Sequence, residues 1–267
     1  MDNQYRAIFS RNIGLFTEAE QDMLRKSTIA IAGVGGVGGL AAERLIRLGV
    51  GRLKITDPGD WEESNLNRQF GSSMLNLGQN KAEVVFTQIK DINPQAQIFR
   101  SNNGITNEND ANLFADGCDF IIDAMDHGLF KQSILLQRAA RHRGIHYLFT
   151  AAIGFGALAV VFDPQGLTLE EYNNLPSDVD IDDPGKLKVP LERIVPIIPS
   201  YATDITMLKE IIAGERPVPT NSIGAGLAAI MAASEVINVI LKKEVPKAPN
   251  YTYLDLVDRR LVAGTIS

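Results

Sequence analysis

Residues 28–69 carry the clearest structural signal in the chain and read TIAIAGVGGVGGLAAERLIRLGVGRLKITDPGDWEESNLNRQ. The apolar run Thr28–Ala32 predicts a strand, and residues 40–48 have the spacing of an amphipathic helix. Between them lie Gly33, Gly35, Gly36, Gly38 and Gly39. This order predicts a nucleotide-binding unit, because glycines let the backbone approach phosphate groups and a helix N-terminus attracts their charge.

A ribose-binding acid is predicted shortly after this unit. The second predicted strand, Arg52–Thr56, is followed by Asp57. Asp57 lies about 20 residues beyond the glycines, the separation at which dinucleotide folds place an acid on the ribose hydroxyls. The glycines and Asp57 are therefore candidate nucleotide ligands, but they do not by themselves distinguish NAD from ATP.

Composition and charge argue against several classes of protein. The 267 residues are 45% hydrophobic and 22% charged, which is typical of a globular protein. A net charge of -6 argues against a nucleic-acid-binding surface. No run approaches the roughly 18 uninterrupted apolar residues of a membrane span, and the N-terminus lacks a signal-peptide layout. We therefore expect a cytoplasmic protein that binds neither membranes nor nucleic acid.

Helical and strand patterns alternate along the rest of the chain. Predicted helices cover residues 17–25, 77–92, 130–143, 205–212 and 223–241, and predicted strands cover residues 97–100, 119–124, 145–151, 157–162 and 251–257. The run at 119–124 is apolar without alternation, as in a strand buried on both faces of a parallel sheet. The predicted fold class is α/β, with a Rossmann-like, doubly wound, mostly parallel sheet and antiparallel C-terminal strands.

We predict a single domain over residues 1–267. It comprises an N-terminal arm and helix at 1–26, a nucleotide-binding core at 27–163, a crossover at 164–220, and a C-terminal helix with strands at 221–267. Residues 167–220 are rich in Pro and Asp and predict a surface excursion, which is either a partner-binding loop or variable filler. Tyr172 in this excursion is a candidate partner contact.

Three charged side chains are predicted to reach the crevice beside Asp57. Arg68 lies in the segment SNLNRQ at 64–69, Lys81 is near the start of a helix, and Asp126 follows a buried strand together with Asp123 and His127. In open parallel sheets, ligands bind at the carboxyl ends of strands. A triphosphate that is being cleaved needs added cations and a metal carboxylate, which an NAD site does not. Each residue alone is consistent with a surface salt bridge, but together they favour ATP with attack on its α-phosphate.

A series of short motifs runs in a fixed order along most of the chain. They are FSRN at 9–12, AGVGGVGG at 32–39, ITD at 55–57 followed by NRQ at 67–69, LGQNK at 77–81, INP at 92–94, DAMD at 123–126 and SIGAGLAAIMAASEVI at 222–237. In this order the chain resembles the ThiF/MoeB/HesA adenylyltransferases, which are related to ubiquitin-activating enzymes. The resemblance implies ATP-dependent activation of a carboxylate, with an acyl adenylate and pyrophosphate as products.

The resemblance also implies a MgATP site and its residues. The implied nucleotide ligands are Gly33, Gly35, Gly36, Gly38, Asp57, Ser64, Asn65, Arg68, Lys81, Asp126 and His127, the last standing where asparagine is usual. Arg68, Lys81 and Asp126 are the implied catalytic groups, with Mg²⁺ on Asp126. Arg11 is implied to join them from the other subunit of a homodimer. The implied substrate is the C-terminus of a small ubiquitin-like protein or of a peptide.

Departures from the family pattern limit the chemistry that we expect. Cys118 is the only cysteine, so an internal disulfide and a four-cysteine zinc site are ruled out, and a buried structural role is expected for it. No zinc and no stable thioester with the substrate are therefore predicted. Asp60 is displaced by one position from the family's second acid and is given no role. His142 and His146 are expected to be structural.

Two other functions stay open on the sequence. An NAD(P)-dependent oxidoreductase would use the glycines and Asp57 but would leave Arg68, Lys81 and Asp126 without a role. A non-catalytic binding module would keep the fold and hold a partner through residues 167–220. Trp61, in the loop after Asp57, either covers the adenosine or anchors that loop.

Overall fold

An 8-stranded sheet forms the centre of the computed structural model. The structure describes residues 3–212, 215, 216 and 218–266, and the other residues of the predicted arm, excursion and C-terminal segment lie outside the described part. The strands are β1 (Thr28–Ala32), β2 (Arg52–Thr56), β3 (Gln97–Ser101), β4 (Phe120–Asp123), β5 (His146–Ile153), β6 (Gly156–Phe162), β7 (Asn250–Asp255) and β8 (Arg260–Thr265). Their spatial order is β3-β2-β1-β4-β5-β6-β7-β8.

The directions of the strands confirm the predicted fold class. Neighbouring strands from β3 to β5 pair in parallel, and those from β5 to β8 pair antiparallel. The strand order reverses at β1, where an open parallel sheet forms a ligand crevice. Ala32 of β1 pairs with Thr56 on one side and with Asp123 on the other. The segments that follow β1, β2 and β4 therefore meet at one edge of the sheet.

Helices cover both faces of the sheet. The described helices are α1 (Asn3–Ile8), α2 (Glu18–Lys26), α3 (Gly38–Leu48), α4 (Lys81–Ile92), α5 (Glu108–Ala115), α6 (Phe130–His142), α7 (Leu169–Tyr172), α8 (Leu191–Ile194), α9 (Ile205–Ile212) and α10 (Ser222–Ile240). Apolar side chains of α2, α3, α4 and α10 form one buried cluster with the sheet, and those of α5, α6 and α7 form the other. Burial on both faces explains why β1 and β4 are apolar without alternation.

Side-chain caps set the starts of several helices. Thr17 and Glu20 form a capping box at the start of α2. Helix α4 begins at Lys81 rather than at residue 77, because the Asn80 side chain accepts hydrogen bonds from the N–H groups of Ala82 and Glu83. The cap thereby places Lys81 on the first turn of α4.

Helix α1 and strand β8 were not predicted from the sequence, and neither were the short helices α7 and α8. Helix α1 occupies part of the predicted arm, and its Tyr5 is buried and donates a hydrogen bond to the Gly49 carbonyl at 2.6 Å. Strand β8 pairs antiparallel with β7 and forms one edge of the sheet. Helix α1 depends on a contact with a distant part of the chain, which local patterns do not encode, whereas β8 forms a hairpin with the preceding strand β7.

The prediction that residues 167–220 are a purely superficial excursion is wrong for its first part. Leu169, Tyr172, Leu175 and Val179 belong to the buried core. Tyr172 is 2% exposed, and its ring lies 5.3 Å from that of Phe162. The Tyr172 side chain is therefore a core residue and is not available as a partner contact. The predicted helix at Ile205–Ile212 is present as α9.

Helix α10 is long and apolar enough to cross a membrane by length and composition. However, 56% of the relevant window is buried inside the protein, where α10 packs against β5, β6 and α3. The core helix of a globular fold has the same composition and length, so these properties are weak evidence for a membrane span. No other helix among the described residues meets the same criteria.

Candidate active site

Close packing explains two glycines of the loop after β1. Gly33 has φ +83°, and a side chain on it would lie 2.5 Å from the Ala124 carbonyl oxygen. A side chain on Gly38 would lie 1.8 Å from the Gly33 carbonyl oxygen. The loop is thus pressed against the segment that follows β4. Any larger residue at either position would push the two segments apart.

The start of α3 is open in the sense that no side chain caps it, although Gly39 N–H donates to the Gly35 carbonyl at 3.2 Å. Its N-cap residue, Val37, makes no side-chain cap hydrogen bond. The first N–H groups of a helix have no partner within the helix, and the helix dipole places partial positive charge there. Side chains on Gly35 and Gly36 would meet Gln69 and Arg68 respectively, at 3.1 Å and 3.6 Å. The glycine loop therefore faces the SNLNRQ segment, as expected for a shared phosphate site.

Asp57 is held by backbone groups on both sides of the crevice. Its Oδ2 accepts a hydrogen bond from Val34 N–H, and its Oδ1 accepts one from Gly59 N–H, both at 2.8 Å. Burial raises the pKa of Asp57 above its ordinary value, while these hydrogen bonds and the charge of Lys81 oppose the shift. Each carboxylate oxygen keeps a lone pair that can accept from a ribose hydroxyl.

Lys81 points its charge into the same space. Its N–H donates to the Gly59 carbonyl at 2.9 Å, and its Nζ lies 5.6 Å from the centre of the Trp61 ring. No carboxylate among the described residues forms an ion pair with this amine. Trp61 is 2% exposed, so it anchors the loop after Asp57 and offers no free face for an adenosine to stack on.

The first two residues of the SNLNRQ segment lie in a short 3-10 helix, Glu63–Asn65, in which Asn65 is buried. The Asn65 side chain accepts a hydrogen bond from Glu62 N–H at 3.1 Å. The Arg68 guanidinium donates to the Ser64 carbonyl and to the Asn67 side chain, each at 2.9 Å. Within the described residues Arg68 has no carboxylate partner, so its charge is available to an anion.

Asp126 and His127 lie at the surface, just beyond β4. Asp126 is close enough to Asp57 for its charge to raise the pKa of that carboxyl. His127 stands edge-on to Phe130 with 5.3 Å between ring centres, and partial burial lowers its pKa below the ordinary value. Asp126 is not paired with any cation in the described part of the chain.

These residues fit a magnesium–nucleotide site. The described residues contain no cluster of three or more His, Cys, Asp or Glu side chains that could enclose a metal. Mg²⁺ does not require one, because it is usually bound through one or two carboxylates together with substrate phosphates and water. Asp126 is an unpaired surface carboxylate beside the open N-terminus of α3. It would be the protein's carboxylate in such a site, and the nucleotide phosphates and water would supply the other oxygens.

Arg11 lies far from the site of its own chain. It is exposed in a 3-10 helix, Ser10–Asn12, whose Asn12 side chain donates to the Leu48 carbonyl at 3.3 Å. Leu48 ends α3, whereas the glycine loop starts it. An 11-residue helix is about 16 Å long, so Arg11 sits at the opposite end of the sheet from Asp126.

Sequence reasoning missed one residue that builds the site and misplaced another. Asn80 donates to the carbonyls of Asp57 and Gly59, both at 3.1 Å, and so joins the segment after β2 to α4. The sequence signal that could have identified Asn80 is its position directly before helix α4, where asparagine is a favoured N-cap residue. Asp123, which the sequence placed at the crevice with Asp126, instead turns inward and is 2% exposed. Nothing in the sequence separates these two acids.

We expect Cys118 to react slowly in the native chain. It is buried, and this burial raises the pKa of its thiol from 9.0 to about 11. A rise of two units lowers the thiolate fraction about 100-fold, and the alkylation rate with it. Iodoacetamide labelling at pH 8 of native and urea-unfolded chain measures the difference.

Equal labelling rates in the two states would contradict the burial of Cys118. A reducible conjugate with a protein substrate, absent in Cys118→Ala, would contradict the prediction that no stable thioester forms.

Comparison with known proteins gives related sequences and folds. The chain is 38% identical over 123 residues to tRNA threonylcarbamoyladenosine dehydratase of Bacillus subtilis, covering 46% of this chain and 48% of that protein. It is 31% identical over 146 residues to the sulfur carrier protein ThiS adenylyltransferase of B. subtilis, covering 54% and 43%. The chain thus spans about half the length of the curated relatives it matches.

The fold also matches solved structures over the whole chain. Escherichia coli MccB, crystallised with AMPCPP and MccA, superposes with a TM-score of 0.74 over 100% of this chain and 74% of that one, at 18% sequence identity. At this identity the likeness concerns the fold alone. The ThiF family profile matches residues 9–263, which include the glycine loop, Asp57, Lys81 and Asp126. The chain therefore belongs to the ThiF family.

Proposed function

We propose that this chain is an ATP-dependent adenylyltransferase that activates a carboxylate as an acyl adenylate with release of pyrophosphate. One observation carries the proposal. The open N-terminus of α3, two cations without carboxylate partners and an unpaired carboxylate meet at the carboxyl ends of β1, β2 and β4. An NAD site needs only the first of these, whereas cleavage of a triphosphate uses them all.

Each group has a distinct role in this proposal. The N–H groups of the loop from Gly33 to Gly38 bind phosphate, and Asp57 binds the ribose. Arg68 and Lys81 offset the charge that develops on the phosphates. Asp126 would hold Mg²⁺, which neutralises phosphate oxygens and so favours attack at the α-phosphate. Ser64, Asn65 and His127 line the nucleotide site.

No side-chain nucleophile is required for this step. A carboxylate that is held near the α-phosphate attacks it directly, and pyrophosphate leaves. Positioning and charge neutralisation can supply most of the acceleration. The inert, buried Cys118 is compatible with such a mechanism.

The proposed carboxylate is the C-terminus of a small ubiquitin-like protein or of a peptide. Relatives named for ThiS, a sulfur carrier protein, support a protein C-terminus. The relative named for threonylcarbamoyladenosine on tRNA supplies a second candidate carboxylate for the test. The net charge of -6 favours a protein or peptide substrate over a tRNA, because tRNA is itself negatively charged. We place the reaction in the cytoplasm, within one domain over residues 1–267.

We further propose a homodimer in which Arg11 completes the partner's site. Within one chain Arg11 and Asp126 lie at opposite ends of the sheet, so Arg11 can act only on another copy. Ile8, Ile13 and Leu15 beside Arg11 are exposed apolar side chains, and Leu15 is 85% exposed. Apolar side chains around an exposed arginine are typical of a protein interface.

Product analysis tests the proposed reaction and its substrate class. The chain is incubated with ATP, Mg²⁺ and, in turn, small ubiquitin-like proteins, peptides and tRNA that bears threonylcarbamoyladenosine. We expect pyrophosphate and an acyl adenylate, which releases AMP when water hydrolyses it, and not ADP, with one protein or peptide class. AMP formation only with the tRNA would indicate that the substrate is a nucleic acid. Tight binding of NADH together with undetectable binding of ATP would favour the oxidoreductase.

Mixed dimers test whether Arg11 acts in trans. Arg11→Ala and Lys81→Ala homodimers are expected to be inactive separately. After subunit exchange we expect about a quarter of wild-type activity, because half of the dimers are mixed and each contains one complete site. The measurement is AMP formation before and after exchange, with exchange monitored by a tag on one variant. If activity does not recover after confirmed subunit exchange, the proposal that Arg11 acts in the partner's site is contradicted.

A further inference from the structure

A buried acid and a buried tyrosine lie directly behind the loop that carries Asp126. Asp123 is 2% exposed at the end of β4, and Tyr147 is 1% exposed on the neighbouring β5. The Tyr147 hydroxyl donates a hydrogen bond to Asp123 Oδ2. The other carboxylate oxygen, Oδ1, accepts a hydrogen bond from Met125 N–H at 3.0 Å. The carboxyl thus joins the core of the protein to the backbone directly before Asp126.

Other contacts hold the same loop from the opposite side. Ala124 N–H donates to the Ala32 carbonyl of β1 at 2.9 Å, and the Ala124 carbonyl lies against Gly33. Beyond Asp126, Leu129 N–H donates to the Asp126 carbonyl at 3.2 Å. The backbone of Asp126 therefore lies between two hydrogen-bonded points, and the first of them is Met125 N–H.

The proposed reaction makes no direct use of Asp123. Its carboxyl faces the core and cannot reach a metal at the surface. A buried carboxyl is costly unless hydrogen bonds satisfy it, and for Asp123 the Tyr147 hydroxyl does so together with the Ser133 side chain and Met125 N–H. Such a pair gives a rigid attachment point. Groups behind a metal ligand commonly orient it, and their loss weakens metal binding.

We propose that Asp123 and Tyr147 are positioning residues that orient Asp126 toward the metal, Asp123 by fixing Met125 N–H and Tyr147 by holding the Asp123 carboxyl. The inference rests on the proposed function, because it takes Asp126 as the magnesium ligand. Neither residue touches nucleotide or substrate. Their contribution is the geometry of the loop from Ala124 to Asp126.

A pair of tyrosine variants tests this inference. Tyr147→Phe keeps the ring, which packs 5.9 Å from Phe162, and removes the hydroxyl. Tyr172→Phe is the matched control, because its buried ring also packs on Phe162 while its hydroxyl has no hydrogen-bond partner among the described residues. Mn²⁺ affinity is measured from the free-ion EPR signal with saturating AMPCPP, an analogue that the proposed reaction cannot cleave.

We expect Tyr147→Phe to weaken Mn²⁺ binding about tenfold and Tyr172→Phe to leave it unchanged. AMPCPP binding without metal should be the same in both variants. Hydrogen exchange at the Met125 amide should be faster in Tyr147→Phe alone. On an Asp126→Asn background, Tyr147→Phe should cause no further loss, because the ligand that it positions is already impaired.

The outcomes separate this inference from the proposed function. A wild-type chain that fails to bind ATP or AMPCPP overturns both. A wild-type chain that binds Mn²⁺ with AMPCPP, while Tyr147→Phe binds it equally well, overturns the positioning role alone. An undiminished loss on the Asp126→Asn background also overturns it. Should Tyr147→Phe fail to fold, Asp123→Asn takes its place, with the same expected loss of Mn²⁺ affinity.

Discussion

Asp126→Ala is expected to lower the reaction by about 10²- to 10³-fold while leaving metal-free ATP binding intact. Asp126 is the unpaired carboxylate at the end of β4, beside the open start of α3. Its removal would take away the proposed ligand to Mg²⁺ but none of the groups proposed to bind the ribose or phosphates. The effect should therefore appear in turnover and in metal dependence.

Asp91→Ala provides the matched control for this variant. Asp91 is an exposed aspartate near the end of α4, at the opposite end of that helix from Lys81. We expect wild-type activity from it. AMP formation is measured over a range of Mg²⁺ concentrations, and metal-free ATP binding is measured by calorimetry. Wild-type turnover in Asp126→Ala would remove Asp126 from the mechanism, and loss of metal-free ATP binding would make it a nucleotide-binding residue instead.

Gly38→Ala is expected to destabilise the fold by about 3 kcal/mol or more, since overpacking a well-packed site typically costs 1–3 kcal/mol and sometimes more. The added methyl group would lie 1.8 Å from the Gly33 carbonyl oxygen, which belongs to backbone and cannot rotate away. The glycine loop and the start of α3 must separate to accept it. For a chain of this size the loss corresponds to a fall in Tm of about 6–12 °C.

Gly226→Ala gives the opposite expectation from the same chemical change. Gly226 lies within α10, and a side chain on it would meet nothing within 4 Å. Alanine in a helix interior is favoured over glycine by about 0.5–1 kcal/mol, so Tm should rise slightly. Thermal unfolding followed by circular dichroism measures both variants. An unchanged Tm in Gly38→Ala would contradict the close packing of the glycine loop.

The part of the fold around the glycine loop could be predicted because its signals are local. The strands Thr28–Ala32 and Arg52–Thr56 have the predicted bounds, since each is a short run set off by glycines or by Asp57. The parallel order of the strands then follows from the intervening helices. The meeting of Asp57, Lys81 and Asp126 at one edge is a consequence of that topology.

The missed elements depend on contacts between distant segments. Helix α1 forms where the Tyr5 hydroxyl reaches the carbonyl of Gly49, and Gly49 is remote in sequence. Tyr172 appeared to lie in a polar loop, yet its ring is buried against Phe162. Neither partner can be identified from neighbouring residues. Tertiary packing therefore overrode local composition in both places.

The orientation of the acids after β4 shows the same limit within the site. Asp123 and Asp126 occur in one short motif, and the sequence treats them alike. The backbone turns after β4, so that Asp123 faces Tyr147 while Asp126 reaches the surface. The turn depends on Met125 N–H and on the contact with Gly33. Only the three-dimensional structure therefore distinguishes the proposed metal ligand, Asp126, from the residue proposed to position it, Asp123.

Carboxylate-dependent exchange of labelled pyrophosphate into ATP tests the central claim most directly. The exchange requires reversible formation of an acyl adenylate and so reports the proposed step without assuming its later fate. We predict exchange with Mg²⁺ and a protein or peptide bearing a free C-terminal carboxylate. We predict none when that carboxylate is amidated, and exchange that is about 10²- to 10³-fold slower in Asp126→Ala. ATP binding without exchange, across all carboxylate classes tested, would contradict the assignment of this chain as an adenylyltransferase.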